Sequence, residues 1–499
     1  LAASHSRLPD PDRMDTRSTG HARRQRRRLF AIELRRLLGL AGPIIVSQLG
    51  QVGMNAADTI MVGPLGARSL AAAGLGSAIH FFGIVCCVGV LVGLSPLVSQ
   101  AFGAGDTRRC RHLVVQGLWL AIALSAPVIA LSLGGHRIAL LFGQDPTVSA
   151  LTGGYMAALA WGITPFFLFI AFRQYLEGMG RVHVPMVITF IGLAVNVAAN
   201  RVFIYGLGDV VPAMGVAGSG VATSIVRWSM LLAIAGYTMA RPRVRLRRHE
   251  PVGPDRAMLR DVLRVGLPVG GQFGLEVGLF SFAAVMMGWL GPLQLAAHQV
   301  TINIASTTFM VALGVSMAGS IRVGQHIGAA RPRRMRRAAL ATWLLSVAFM
   351  GACALGFLAA PNALIGLYTD DPAILALGRR LLLVAAAFQV FDGAQVAGIS
   401  VLRGAAETRV PALIAAVGYW GLGLPAGYLL AFPGGRGPEG VWLGLTVGLA
   451  AAALLLALRA RDVFWRTSFE TLRARTRPDR DGPTHGVAHE AEPRDTVPE

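Results

Sequence analysis

The chain has 499 residues, 54% of them hydrophobic and 14% charged, with a mean hydropathy of +0.56. This excludes a water-soluble globular domain, which needs more polar surface. Apolar runs of about 20 residues, each able to cross a bilayer core, recur along the whole length and exclude a membrane β-barrel with its short alternating segments. The formal net charge of +20 comes from 46 arginines and no lysine. The arginines gather at the termini and in alternate loops, which reports orientation rather than a nucleic-acid partner. Four cysteines, Cys86, Cys87, Cys110 and Cys353, show no metal-ligand spacing.

The chain begins with a polar, Arg-rich stretch, 1–34, read as a disordered cytoplasmic tail with Met14 as a candidate start. It has no apolar core followed by a cleavage site. An N-lobe, 35–240, follows, with spans at approximately 37–62, 69–98, 112–133, 151–178, 185–206 and 213–240. A cytoplasmic linker, 241–262, carries Arg241, Arg243, Arg245, Arg247 and Arg248. The C-lobe, 263–462, has spans at approximately 263–290, 294–324, 337–360, 373–402, 409–431 and 438–460. The polar segment 463–499 is read as a disordered cytoplasmic tail. The expected fold is therefore an all-α polytopic membrane protein of twelve transmembrane helices in two six-helix lobes.

Arginine assigns the sides. One set of loops carries Arg108, Arg109, Arg111, Arg181, the linker, Arg331 to Arg337, Arg403 and Arg409; the other carries only Arg68, Arg137 and Arg436. The rich set is cytoplasmic, which puts both termini inside. Six spans per half give both halves the same orientation, so they are expected to be related by a pseudo-two-fold axis along the membrane normal.

The halves are also repeats. Leu65-Gly66, Leu70-Ala71-Ala72 and Gln100-x-x-Gly103 with Arg108-Arg109 return at one constant offset as Leu290-Gly291, Leu295-Ala296-Ala297 and Gln325-x-x-Gly328 with Arg333-Arg334. Asp145-Pro146 and Leu176-x-Gly178 with Pro185 return at an offset one position longer, as Asp371-Pro372 and Leu402-x-Gly404 with Pro411. The acids inside the spans do not repeat.

A carboxylate in a span costs roughly 2.5–3.5 kcal/mol on insertion scales and faces a cavity or a partner. Glu276 lies 12 residues beyond Arg264 and Asp392 11 residues before Arg403, roughly 18 and 16 Å deep from the same side. Gln272 precedes Glu276 by one turn, and Gln389 and Gln395 flank Asp392 at three residues, so each acid lies on a polar stripe. The pair reads as a shared cation site, because two close carboxylates take up a proton or a metal ion. Local amides and structural water are the plainer alternative. In the N-lobe, Asp58 shares a face with Gln51, and Asn196 and Asn200 share a face of span five. They form either a pocket or helix-to-helix hydrogen bonds. Gln299 and Asn303 on span eight divide between pocket lining and packing, and His80 and His298 read as packing residues. No Walker A, His-Glu-x-x-His, nucleophile-elbow or Rossmann motif is found, so the chain reads as no enzyme and with no cofactor beyond a coupling ion.

At these residues the sequence resembles the multidrug and toxic compound extrusion (MATE) transporters over approximately residues 35–460. The resemblance rests on Gln51-Val-Gly-Met-Asn-Ala-Ala-Asp58-Thr-Ile-Met-Val-Gly63, Leu295-Ala-Ala-His-Gln-Val300, Ser320-Ile-Arg-Val-Gly324, Leu402-Arg-Gly404 and Gly423-Leu-Pro-Ala-Gly-Tyr428. Acids on spans seven and ten make the NorM-like branch the nearest in pattern. The resemblance implies cation coupling at Glu276 and Asp392, a role for Asp58 in the other lobe, and polar groups at Asn196 and Asn200. One position departs: where the NorM pattern has tyrosine four residues before the span-ten acid, this chain has Phe388. A hydroxyl ligand for Na+ is lost there, although the ring face would still attract a cation.

The implied function is export of small organic cations by H+- or Na+-coupled antiport, by a monomer in the lipid bilayer of a bacterial inner membrane, with no nucleic-acid partner. Glu276 and Asp392 are the expected ligands if the ion is Na+. The alternative is a lipid-linked oligosaccharide flippase of a related fold, which would need a cationic central cavity. The mid-membrane charges placed above are acidic and favour cationic cargo.

Overall fold

The computed structural model describes residues 16–241, 244 and 253–474, and all regular structure among them is helical. In the first half the helices are α1 (Thr16–Val62), α2 (Ala67–Val92), α3 (Leu94–Gly103), α4 (Thr107–Leu133), α5 (Gly135–Leu141), α6 (Pro146–Ala160), α7 (Ile163–Gly178), α8 (His183–Tyr205) and α9 (Gly215–Ala240). In the second half they are α10 (Arg256–Leu290), α11 (Pro292–Gly328), α12 (Pro332–Ala359), α13 (Pro361–Gly366), α14 (Pro372–Gly404), α15 (Arg409–Ala416), α16 (Leu424–Ala431), α17 (Gly437–Arg461) and α18 (Phe469–Ala474). The chain is a multi-pass membrane protein. Among the described residues ten helices are long and apolar enough to cross a bilayer, or eleven with the bent pair α6–α7 taken as one. The expected count of twelve is not reached by this measure. α1 is not among the ten; its second half carries Gln48, Gln51, Asn55 and Asp58, which lower its apolar character.

Local chemistry sets the helix ends. Asp106, Asp145, Asp255 and Asp371 cap the N-termini of α4, α6, α10 and α14 with their carboxylates. Proline occupies the first helical position after Asp145 and Asp371, where no N–H is needed. The N–H and side-chain hydroxyl of Thr147 hold the exposed Asp145 carboxyl below the usual range. The expected single span 151–178 is broken at Trp161–Gly162 and bent by 46°. The ring of Pro165 blocks a helical bond to the carbonyl four residues earlier, at Trp161. Span eleven is interrupted by a π-helical stretch, Val417–Gly423, ahead of Pro425.

The repeat is visible in the backbone. Gly105 and Ala330 are both left-handed, at φ 80° and 53°, and so are Gly180 and Ala406, at 79° and 56°. These pairs are separated by the same two offsets that relate the sequence repeats.

The lobes meet through α1 on α11, α2 on α10 and α3 on α11. Leu37, Ala41 and Ile44 bury themselves against Val315, Ala318 and Ile321. Gly89 of α2 and Gly93, which follows it, lie against the backbone at Gly270 and Gly266 of α10, so closely that a Cβ would not fit. All of these contacts lie in the half of the spans next to the Arg-rich loops. At the other end Ile60, Phe81 and Phe82 are exposed.

Both tails are shorter than expected from composition. Residues 16–34 are not a disordered tail but the start of α1, anchored by Glu33. That carboxylate is buried and receives Arg322 Nε and Nη2 at 2.8 and 3.0 Å, with His326 Nε2 at 3.1 Å. A carboxylate in polar sequence reads as solvated until its distant partner on α11 is known. Residues 463–474 likewise carry buried Phe464 and Leu472 and the helix α18. Within the linker, Tyr175 Oη donates to the carbonyl of Val244, and 256–262 is already the first turns of α10. The tail residues 1–15, including Met14, and 475–499, and the linker residues 242, 243 and 245–252, lie outside the described residues.

Removing one partner of a buried ion pair costs about 3–5 kcal/mol. Glu33→Gln is therefore expected to lower the unfolding temperature of the detergent-purified protein, read by intrinsic tryptophan fluorescence. An unchanged temperature would show that Arg322 is satisfied without the acid.

Candidate functional site

In the C-lobe, Glu276 sits midway along α10 and Asp392 in the second half of α14. α10 packs on α11 and α15, and α14 on α11, α12 and α17. Both helices rest on α11 and α17, and the two acids lie within range of an electrostatic interaction with each other. Asp392 is buried and Glu276 half-buried. Neither takes part in an ion pair among the described residues. The charge of Arg403 reaches Glu276, and its guanidinium lies 5.5 Å from the Phe273 ring centroid.

The flanking amides are turned to other tasks. Gln389 donates to the Thr308 hydroxyl on α11, and its own carbonyl oxygen is buried without a partner. Gln395 donates to the Tyr419 hydroxyl in the π-helical stretch. Gln272 is buried, while Gln299 and Asn303 are exposed on α11. Phe388 is not a cavity residue. It is 1% exposed and packs edge-on against Phe280 and Trp442, with ring centroids 6.2 and 5.4 Å away. The ring is thus enclosed among other rings. Tyr419, whose hydroxyl lies within charge reach of both acids, was not predicted from the sequence. No local sequence signal marks it: the π-helical stretch, a frequent feature of functional sites, emerges only in the structure, and its register to span ten is long-range.

In the N-lobe the predicted group converges. Asn196 and Asn200 each donate from Nδ2 to one Asp58 oxygen, at 3.0 and 2.6 Å, and Thr223 of α9 donates to the other at 3.1 Å. Asn200 also donates to the Asn196 carbonyl at 3.3 Å. Gln51 is half-buried, and its amide nitrogen has no partner. Helices α1, α8 and α9 therefore meet at one carboxylate.

Sequence reading missed a second charge in this lobe. Arg227 lies midway along α9, half-buried, with Nη1 3.5 Å from His80 Nε2 and its guanidinium 4.8 Å from the Phe166 ring centroid. Its charge reaches Asp58 without an ion-pair contact. Contrary to expectation, then, the mid-membrane charges are not all acidic. An arginine inside an apolar span is as conspicuous as an acid and would have been found by the same search. His80 also accepts or donates at Ser132 Oγ, 3.0 Å away, and His298 is buried against Trp442. Both are packed, as expected.

Two similarly built helical lobes, each with carboxylates held inside the spans, define a membrane transporter of the internal-repeat class. The MatE family model matches residues 43–202 and 268–429, one segment in each lobe. The chain is 39% identical over 443 residues to "Probable multidrug resistance protein NorM" of Mesorhizobium japonicum, covering 86% of this chain and 94% of that one. It is 36% identical over 436 residues to "Multidrug resistance protein MdtK" of Edwardsiella ictaluri, covering 86% and 95%. Among solved structures, the eukaryotic MATE transporter AtDTX14 superposes with a TM-score of 0.80 at 20% identity, over 90% of this chain and 99% of that one. An outward-facing multidrug resistance MATE transporter superposes at 0.78 and 23%, over 88% and 97%. The chain belongs to the MATE family of transporters.

Proposed function

We propose that the protein exports cationic, amphipathic organic compounds across a bacterial inner membrane in exchange for H+ or Na+, by alternating access between its two lobes. The observation that carries this reading is that Glu276 and Asp392 lie inside one lobe, on helices that share α11 and α17 as neighbours, with no salt-bridge partner among the described residues. Two interacting acids with no bound counter-ion attract a cation from whichever side the cavity faces. Neutralising them weakens the hold on a positively charged drug and changes the packing of α10 and α14. Drug must be preferred in one state and the coupling ion in the other, since equal affinity shifts no equilibrium. The names of the NorM and MdtK relatives support multidrug cargo. Asp58, held by Asn196, Asn200 and Thr223, is the acid that the N-lobe contributes, at a position of its own in the repeat.

In this reading α1 is a twelfth span beside the eleven, the Arg-rich loops are cytoplasmic, both termini are inside, and the transporter works as a monomer without enzymatic activity. Residues 35–240 and 263–462 are its two lobes. The flippase reading needs a cationic centre. Arg227 is the candidate for one, but it is packed on Phe166 and His80 of its own lobe, which favours drug export.

The test is ethidium efflux from proteoliposomes with sodium and pH gradients imposed separately. Efflux is expected with at least one gradient and none without. Phe388 supplies no hydroxyl ligand, so the pH gradient is the expected driver. Efflux under a sodium gradient alone would assign Na+. No efflux under either gradient overturns the antiport reading.

A further inference from the structure

We propose that Gln100 and Gln325 are the positioning residues that hold the lobes together at the Arg-rich face, as a two-point latch generated by the internal repeat. Gln100, on α3 of the N-lobe, donates from Nε2 to the carbonyl of Gly404 in the C-lobe at 2.9 Å. Gln325, on α11 of the C-lobe, donates from Nε2 to the carbonyl of Gly178 in the N-lobe at 3.2 Å. The two glutamines occupy equivalent positions of the repeat, and so do the two glycines. These are therefore one contact made twice by the pseudo-two-fold.

The acceptors explain the pairing. Gly178 and Gly404 are the last residues of α7 and α14. The final carbonyls of a helix have no partner within it, and here each is satisfied from the opposite lobe. Both glycines are packed equivalently within their own lobes, Gly178 on Val98 and Gly404 on Val323. The backbones also cross at this level: a Cβ on Gly328 would collide with the Gln100 carbonyl, and one on Gly103 with the Gln325 carbonyl. The close crossing sets each glutamine against the far lobe.

The two points are unequal. Gln325 Oε1 accepts from Arg322 Nη1 at 3.3 Å, and Arg322 in turn holds Glu33 of α1. The residue corresponding to Arg322 in the first half is Leu97, so the Gln100 point lacks this ionic brace. The unbraced point is the one attached to α14, the helix that carries Asp392. Asp392 and Gly404 are 12 residues apart on it, roughly 18 Å along a continuous helix. A change at the acid that shifts α14 along its axis therefore acts on the weaker point first. This inference rests on the transport reading for its consequence, but not for its geometry.

The test uses the full-length protein with its four native cysteines replaced, carrying spin labels at Arg108→Cys and Arg333→Cys, both exposed positions on the Arg-rich ends of opposite lobes. Inter-label distances are measured in lipid nanodiscs without drug or ion gradient. Gln→Met keeps the side-chain length and removes the donor. Each neutral hydrogen bond is expected to shift the ratio of separated to closed lobes by about five-fold, and both together by about 25-fold. The conservative control Arg322→Lys is expected to weaken only the Gln325 point. Distances unchanged in a double Met variant that elutes as folded protein would overturn the latch. If the double variant does not fold, the single variants carry the test, each against its five-fold expectation. If the Met variants separate the lobes while the unmodified protein shows no ethidium efflux, the latch stands and the export reading falls.

Discussion

Glu276→Gln and Asp392→Asn are each expected to abolish drug resistance in cells stripped of their own exporters, with membrane expression unchanged. Either substitution keeps the side-chain shape and removes one charge from an interacting pair. Losing a unit charge about 4–8 Å from a bound cation costs about 2–4 kcal/mol at an effective dielectric of 20. That corresponds to a loss of occupancy of about 30-fold or more. Neither acid has a cationic partner to be orphaned, so folding is expected to survive, unlike at Glu33. Glu439→Gln, which removes the half-buried partner of the exposed Arg380 at the far end of α17, is the control and should leave resistance intact. Full resistance in both acid variants would remove the C-lobe from the coupling mechanism and leave Asp58 to carry it.

Gly328→Val is expected to be as severe for a different reason. The Cα of Gly328 faces the carbonyl of Gln100 across the lobe boundary, where backbone meets backbone and neither can yield. Overpacking of this kind typically costs about 1–3 kcal/mol when side chains can adjust. Here the relief available is to part the lobes at the Arg-rich face. Transport should fall to background while the protein remains folded, and the spin-label pair should report separated lobes. Gly351→Val is the matched control, since nothing lies within 4 Å of a Cβ there. Wild-type efflux in Gly328→Val would mean that this crossing is not needed closed in any step.

Much of the architecture was legible from the residues alone. Hydropathy located ten of the spans, and an eleventh counted across the bend at Trp161–Gly162, because a bilayer core imposes a length of apolar helix whatever the fold. Spacing exposed the repeat, because duplicated chains keep the turns and caps that need particular residues. Asp145-Pro146 and Asp371-Pro372 are helix starts in any context. The acids stood out by cost alone, and Asn196 with Asn200 met Asp58 because two residues one turn apart on a helix share a face.

Other features depended on pairs of residues far apart in the chain. Pro165 broke a span that hydropathy had joined. Glu33 turned a polar tail into an anchored helix through Arg322, and Phe388 became core because Phe280 and Trp442 surround it. Tyr419 met Gln395, beside Asp392, from a helix whose register nothing local specifies. The repeat put Gln100 and Gln325 at equivalent positions, but only the packing of one lobe on the other decided that each would bond its neighbour's helix end. Periodicity and residue cost act within a few turns of chain, whereas which side chain meets which across the two lobes is set by the packing of whole helices.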